Sequence, residues 1–92
     1  MKIKISGSDH AVRILKSLVK QGKKRIKGKK SMSRCFWLTA LVDVAKVLLE
    51  TWENTPTDTL GFGHKQSLGL TVFYVAETVA PHMENAGMKV PK

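Results

Sequence analysis

Between residues 34 and 53 the polar positions Thr39, Asp43, Lys46, Glu50 and Glu53 recur at spacings of 4, 3, 4 and 3, and nearly everything between them is apolar. On a 3.6-residue period this is one narrow wet stripe on an otherwise apolar helix. Ser33 is suited to cap it, because its hydroxyl can accept from a free N–H of the first turn. Asn54-Thr-Pro-Thr-Asp ends it, since Pro56 lacks an N–H and disfavours a helical residue before it.

A second helical pattern lies upstream. Ala11, Ile14, Leu15, Leu18 and Val19 share one face, with Ser8 or Asp9 as cap and Gly22 in the position of a C-terminal stop near Gln21. The third apolar segment, Leu68–Ala80, is rich in β-branched residues that suit a strand. Helical spacing nevertheless groups Leu68, Val72, Val75, Val79 and Met83, and a helix capped by Ser67 is the preferred assignment. Pro81 then kinks it or begins a last turn ending at Gly87. The alternation Lys-Ile-Lys-Ile-Ser at 2–6 suits a short strand, whose partner could be Arg25–Lys27 or a second copy of the same segment.

These patterns predict a mainly α fold. It is a small three-helix domain with a short N-terminal strand, a basic loop (22–33) between helices one and two, and a frayed tail at 88–92. The 92 residues suffice for one core and a single domain over 1–92.

Charge is concentrated at one end of the chain. The first 34 residues hold 12 Lys/Arg against one acid, Asp9, whereas the remaining 58 hold 4 against 6. Lys20, Lys23, Lys24, Arg25, Lys27, Lys29, Lys30 and Arg34 fall within fifteen positions with no acid between them. Cations this dense repel one another unless solvent or a polyanion neutralises them, so the tract implies contact with nucleic acid or another polyanion. Lysines would serve as mobile point charges, and Arg13, Arg25 and Arg34 could engage phosphate bidentately. No aromatic lies inside the tract, so base stacking would have to come from Phe36, Trp37 or Phe62 at its margins. That disfavours sequence-specific reading of single strands. Glycines 22 and 28 among repelling cations predict a mobile segment over 20–34.

No catalytic pattern stands out, and the expectation is a protein that is not an enzyme and needs no cofactor or metal. Gly22-Lys-Lys-Arg-Ile-Lys-Gly-Lys-Lys-Ser has five residues between its glycines and a second lysine before the serine, which departs from a phosphate-binding P-loop. His10, His64 and His82 are far apart and lack a second ligand type at metal spacing, so they read as structural or surface residues. The single cysteine, Cys35, permits no internal disulfide and fits a reducing, cytoplasmic setting. Lys23-Lys-Arg-Ile-Lys also satisfies a nuclear-import pattern. No secretory leader or transmembrane segment is expected: the longest apolar run, Cys35–Leu49, carries Asp43 and Lys46.

The narrow stripe on helix two has one more consequence. So apolar a helix needs cover on most sides, and helix one and the 68–80 segment supply two. Trp37, Leu41, Val44, Leu48 and Trp52 are therefore candidate interface residues, and a homo-oligomer is expected. The leading functional expectation is a small binding protein that contacts the phosphate backbone of nucleic acid with little sequence preference. Two alternatives stand beside it: an interaction module or inhibitor that binds an acidic protein through the apolar helix face, and a binder of small phosphorylated ligands.

Overall fold

The computed structural model describes residues 5–27, 32–55 and 64–92 and, within these, all side chains but those of residues 27, 32–35, 64 and 65. Three helices account for most of the chain: α1 (Ser8–Lys27), α2 (Met32–Asn54) and α3 (His64–Asn85). The protein is an all-α three-helix domain, with no strand among the described residues. Ile5 and Ser6, the described end of the expected strand, are not in one, and Ile5 packs against the core. Residues 2–4 lie outside the described set, and Arg25–Lys27, the candidate strand partner, are helical.

α1 is the centre of the molecule. Ala11, Ile14, Leu15 and Leu18 are completely buried, and α2 and α3 each pack on α1 far more than on one another. Lys16 meets Glu53 at 3.8 Å and Gly22 faces Val42, so α1 and α2 run antiparallel. Ser8 lies beside Gly69 and Arg25 reaches Ala86, so α3 runs parallel to α1. From α2 the core receives Leu38, Val42 and Ala45; from α3 it receives Val72, Ala76, Val79, Ala80 and Met83. This buried row explains why a β-branched segment is helical. Packing of residues four and seven apart outweighs a propensity difference of a few tenths of a kcal/mol per residue. The threonines adapt locally: Thr71 and Thr78 each donate to the carbonyl four residues back, Ser67 and Tyr74.

The extent of α1 corrects the expected loop over 22–33. Gly22 does not end the helix; it is buried in mid-helix, where a Cβ would collide with Val42 and touch Leu38. Its missing side chain is the recess into which α2 fits. Ile26, one turn on, packs against the core and carries the helix past the glycine to Lys27. Only residues 28–31 separate the described ends of α1 and α2. At the other end the cap is Gly7 rather than Ser8 or Asp9. Its carbonyl accepts from Ala11 N at 3.0 Å, and its φ of +130° suits glycine.

The expected frayed tail is also corrected, because residues 88–92 are docked. Gly87, at φ +77°, closes α3 with Met88 N donating to Met83 O (2.8 Å) and Gly87 N to Glu84 O (3.0 Å). This is the double bond pattern of a Schellman ending, with Met83 and Met88 as its apolar pair, and both are buried. The chain then runs back along α1. The Gln21 amide donates to Lys89 O (2.7 Å) and accepts from Lys89 N (2.9 Å). His10 bonds Pro91 O through Nε2 at 2.7 Å, while its Nδ1 accepts from Ser6 N at 3.2 Å, which sets the ring as the Nε2–H tautomer. His10 is thus a buried structural residue linking both ends of the described chain to α1.

Candidate nucleic-acid interface

The helical extension of α1 places the first part of the basic tract, Lys20 to Lys27, on a helix. Arg13, Lys16, Lys20, Lys23 and Lys24 are all exposed and recur at spacings of 3, 4, 3 and 1. On a 3.6-residue period they fall within about a quarter-turn of one another, opposite the stripe of Ala11, Ile14, Leu15 and Leu18 that faces the core. The result is a ridge of five cations over about 16 Å of helix, at 1.5 Å per residue. Its C-terminal lysines also sit at the negative end of the helix dipole, which favours their charge there. Lys16 pairs with Glu53, but both side chains are more than half exposed, so water and salt leave that contact little net energy and the ammonium free to exchange partners.

The sequence-derived residues distribute unevenly about this ridge. Lys20, Lys23 and Lys24 lie on it. Lys27 is the last residue of α1, with its side chain outside the described set, as is that of Arg34 in the first turn of α2; Lys29 and Lys30 lie between the described segments. Arg25 points elsewhere. Its Nη1 donates to Ala86 O at 2.6 Å, satisfying a carbonyl that the end of α3 leaves unpaired. The charge also sits against the negative pole of that helix. Arg13, which the sequence offers as a phosphate ligand outside the tract, and Lys16, which it does not, also belong to the ridge. Continuing the helix through Gly22 with the same three-and-four spacing joins both to Lys20, Lys23 and Lys24.

Arg25→Gln is therefore expected to destabilise the fold by about 1 kcal/mol, the size of one charge-assisted hydrogen bond at an exposed site, while leaving the ridge intact. Thermal unfolding checks this. An unchanged midpoint would mean that Arg25 does not hold α3.

The opposite side of the domain has different chemistry. Of the candidate interface residues, Trp37 and Val44 are exposed, while Leu41, Leu48 and Trp52 are half-buried. The ring of Trp52 packs where Gly69 leaves room, 3.3 Å from the position a Cβ would take, so much of it is committed within the domain. Trp37 lies 6.3 Å from the His82 ring at the far end of the same α2–α3 seam. Between these contacts a groove of about 420 Å³ opens, lined by Asp43, Val44, Val47, Leu48, Thr71 and Val75. No three His, Cys, Asp or Glu residues among those described converge in a way that could hold a metal ion. No helix among the described residues is long and apolar enough to cross a membrane.

Comparison of the chain with protein-family models, with curated proteins and with solved structures found no match.

Proposed function

We propose that this protein is a small non-enzymatic binding protein that grips the phosphate backbone of nucleic acid through the α1 ridge, with little sequence preference. The observation that carries the proposal is the placement of Arg13, Lys16, Lys20, Lys23 and Lys24 on one exposed stripe of a rigid helix, opposite its buried side. A flexible tract would have to be ordered on binding, at a cost in conformational entropy for every residue immobilised. Here folding has already ordered the backbone that carries five of the cations. Double-stranded DNA offers a phosphate about every 1.7 Å along its axis, so a ridge of about 16 Å never outruns its supply of partners. Contacts of this kind position a protein on a duplex without reading bases, and no aromatic side chain stands on the ridge to stack on them.

The test is salt dependence together with neutralisation. Five phosphate contacts imply a slope of log affinity on log salt of about −4.5, a loss of several hundredfold between about 50 and 200 mM salt. Replacing Arg13, Lys16, Lys20, Lys23 and Lys24 with Gln is expected to remove at least a hundredfold of duplex affinity at low salt. The helical circular dichroism should be retained, because all five side chains are exposed and Gln is a comparable helix former. Affinity that ignores salt, or that survives the five substitutions, would reject the ridge as the binding surface.

A further inference from the structure

We infer that the α2–α3 face opposite the ridge is covered by a second copy of this chain, and that the resulting dimer carries its two basic ridges on opposite outer sides, so that it bridges two nucleic-acid segments. The second half of this inference rests on the ridge binding phosphate; the first half does not.

The outward surface of α2 and α3 is apolar. Phe36 is 75% exposed, Trp37 43%, Val44 47%, Val47 63%, Leu70 57% and Tyr74 63%, and of these Val44 and Val47 line the groove itself. At roughly 150–250 Å² per aromatic side chain, the three aromatics present on the order of 350 Å². The aliphatics add on the order of 150 Å², from the area implied by their transfer free energy. A seam that takes in Trp37, Val44 and Val47 with part of the rest of this ~500 Å² and a polar rim is comparable with the ~800 Å² per partner of a standard interface. The polar groups along the groove do not oppose this. Thr71 donates its hydroxyl to Ser67 O within its own helix, leaving Asp43 as the one charged lining residue.

The pattern on α2 fits a like partner. Trp37, Ala40, Val44 and Val47 follow at spacings of 3, 4 and 3, the seam on which one helix pairs with its own copy across a two-fold axis. Charge selects the same occupant. The chain carries +9 overall, yet apart from Glu53, which turns to Lys16 of the ridge, the exposed charges described on α2 and α3 are Asp43, Glu50, Glu77 and Glu84 against Lys46. Two strongly cationic copies can meet through this face without bringing cation against cation. An anionic membrane surface would meet these acids rather than a cationic border, and a nucleic acid would be repelled by them.

Joining two copies through the α2–α3 face turns both α1 helices outward, because on α2 the groove positions lie away from those buried against α1. Each ridge then faces its own duplex, and one dimer can hold two.

Light scattering of the full chain across a dilution series in the micromolar range should give a mass near twice 10.2 kDa. Val44→Asn/Val47→Asn should give the monomer mass with unchanged helical circular dichroism and unchanged net charge. If the pair of substitutions costs helicity, Val47→Asn alone, at the more exposed position, serves the same purpose. Two duplexes carrying donor and acceptor dyes should show energy transfer with the wild-type chain. The Asn variant should bind each duplex singly and show none. A monomeric wild type at every concentration overturns the proposal and leaves the face to another protein. A dimer that the Asn variants do not dissociate overturns the assignment of this face. A dimer that binds no duplex removes the ridge reading and bridging with it, while the interface stands.

Discussion

Met88→Ala is expected to lower the thermal midpoint by on the order of 10–20 °C. The side chain is 5% exposed, although it belongs to a segment beyond the last helix. It packs at the Schellman turn with Met83, which is itself 1% exposed, and so forms part of the same core as Val79 and Ala80. Shortening a buried methionine to alanine costs about 2–5 kcal/mol, from lost transfer free energy and the cavity left behind. In a domain of 60–100 residues each kcal/mol shifts the midpoint by about 4–8 °C. Taking about 2.5 kcal/mol, at the lower end because a terminal segment can partly collapse into the space, gives the stated range. Hydrogen exchange should agree: the Lys89 amide, held by Gln21 Oε1 at 2.9 Å, should exchange more slowly than an unstructured amide. A midpoint within two degrees of wild type would show that the segment is not part of the core in solution.

The second large effect is at Gly22, and its sign separates two views of that residue. In an exposed helix interior, Gly→Ala stabilises by about 1 kcal/mol through backbone entropy. At Gly22 the added Cβ would run into Val42, a β-branched side chain with one strongly preferred rotamer in a helix, so α2 must move away. Overpacking of this kind costs about 1–3 kcal/mol, which outweighs the propensity gain. Gly22→Ala is therefore expected to destabilise by about 1 kcal/mol net, and Gly22→Leu by about 3 kcal/mol or more, since Leu38 blocks the neighbouring space. Val42→Ala should make room, so Gly22→Ala/Val42→Ala should be less destabilised than the sum of the single variants. A coupling of about 1 kcal/mol is expected from the double-mutant cycle. Urea midpoints for the four chains settle the matter: a stabilised Gly22→Ala would mean that the two helices do not approach there.

The residues that misled a reading by pattern share a cause. Gly22 carries a local stop signal and sits among cations, so the nearest neighbours in sequence argue for a loop. What keeps the helix going is distant in sequence: Val42 and Leu38 at the glycine, the core around Ile26, and Ala86 at the end of Arg25. In sequence Arg25 is one more cation in a run, and its separation from the ridge follows from its angle on a helix that continues past Gly22. The tail from Met88 to Lys92 has little periodicity of its own. Its order comes from a Gln21 amide and a His10 ring 68 and 81 residues away from their partners.

Read alone, the sequence carries the three helical segments, the break after α2 and the concentration of charge in the first third of the chain; for the β-branched third segment it prefers helix to strand, a choice the buried row of α3 then makes. It also marked the wet stripe of α2, whose five residues are all exposed. These follow from local periodicity, capping and composition, which act over a few residues and are written in order along the chain. The tertiary structure decided that α1 is the central helix, that it continues to Lys27, and that five of its cations form one ridge while Arg25 caps α3. It decided too which part of α2 stays uncovered, with Leu38, Val42 and Ala45 turned inward and Phe36, Val44 and Val47 outward. A helix that is apolar nearly all round carries no instruction about which side meets a neighbour. That choice is made by the close approach at Gly22, where the absence of one carbon lets α2 settle against α1 and so orients the rest of its surface.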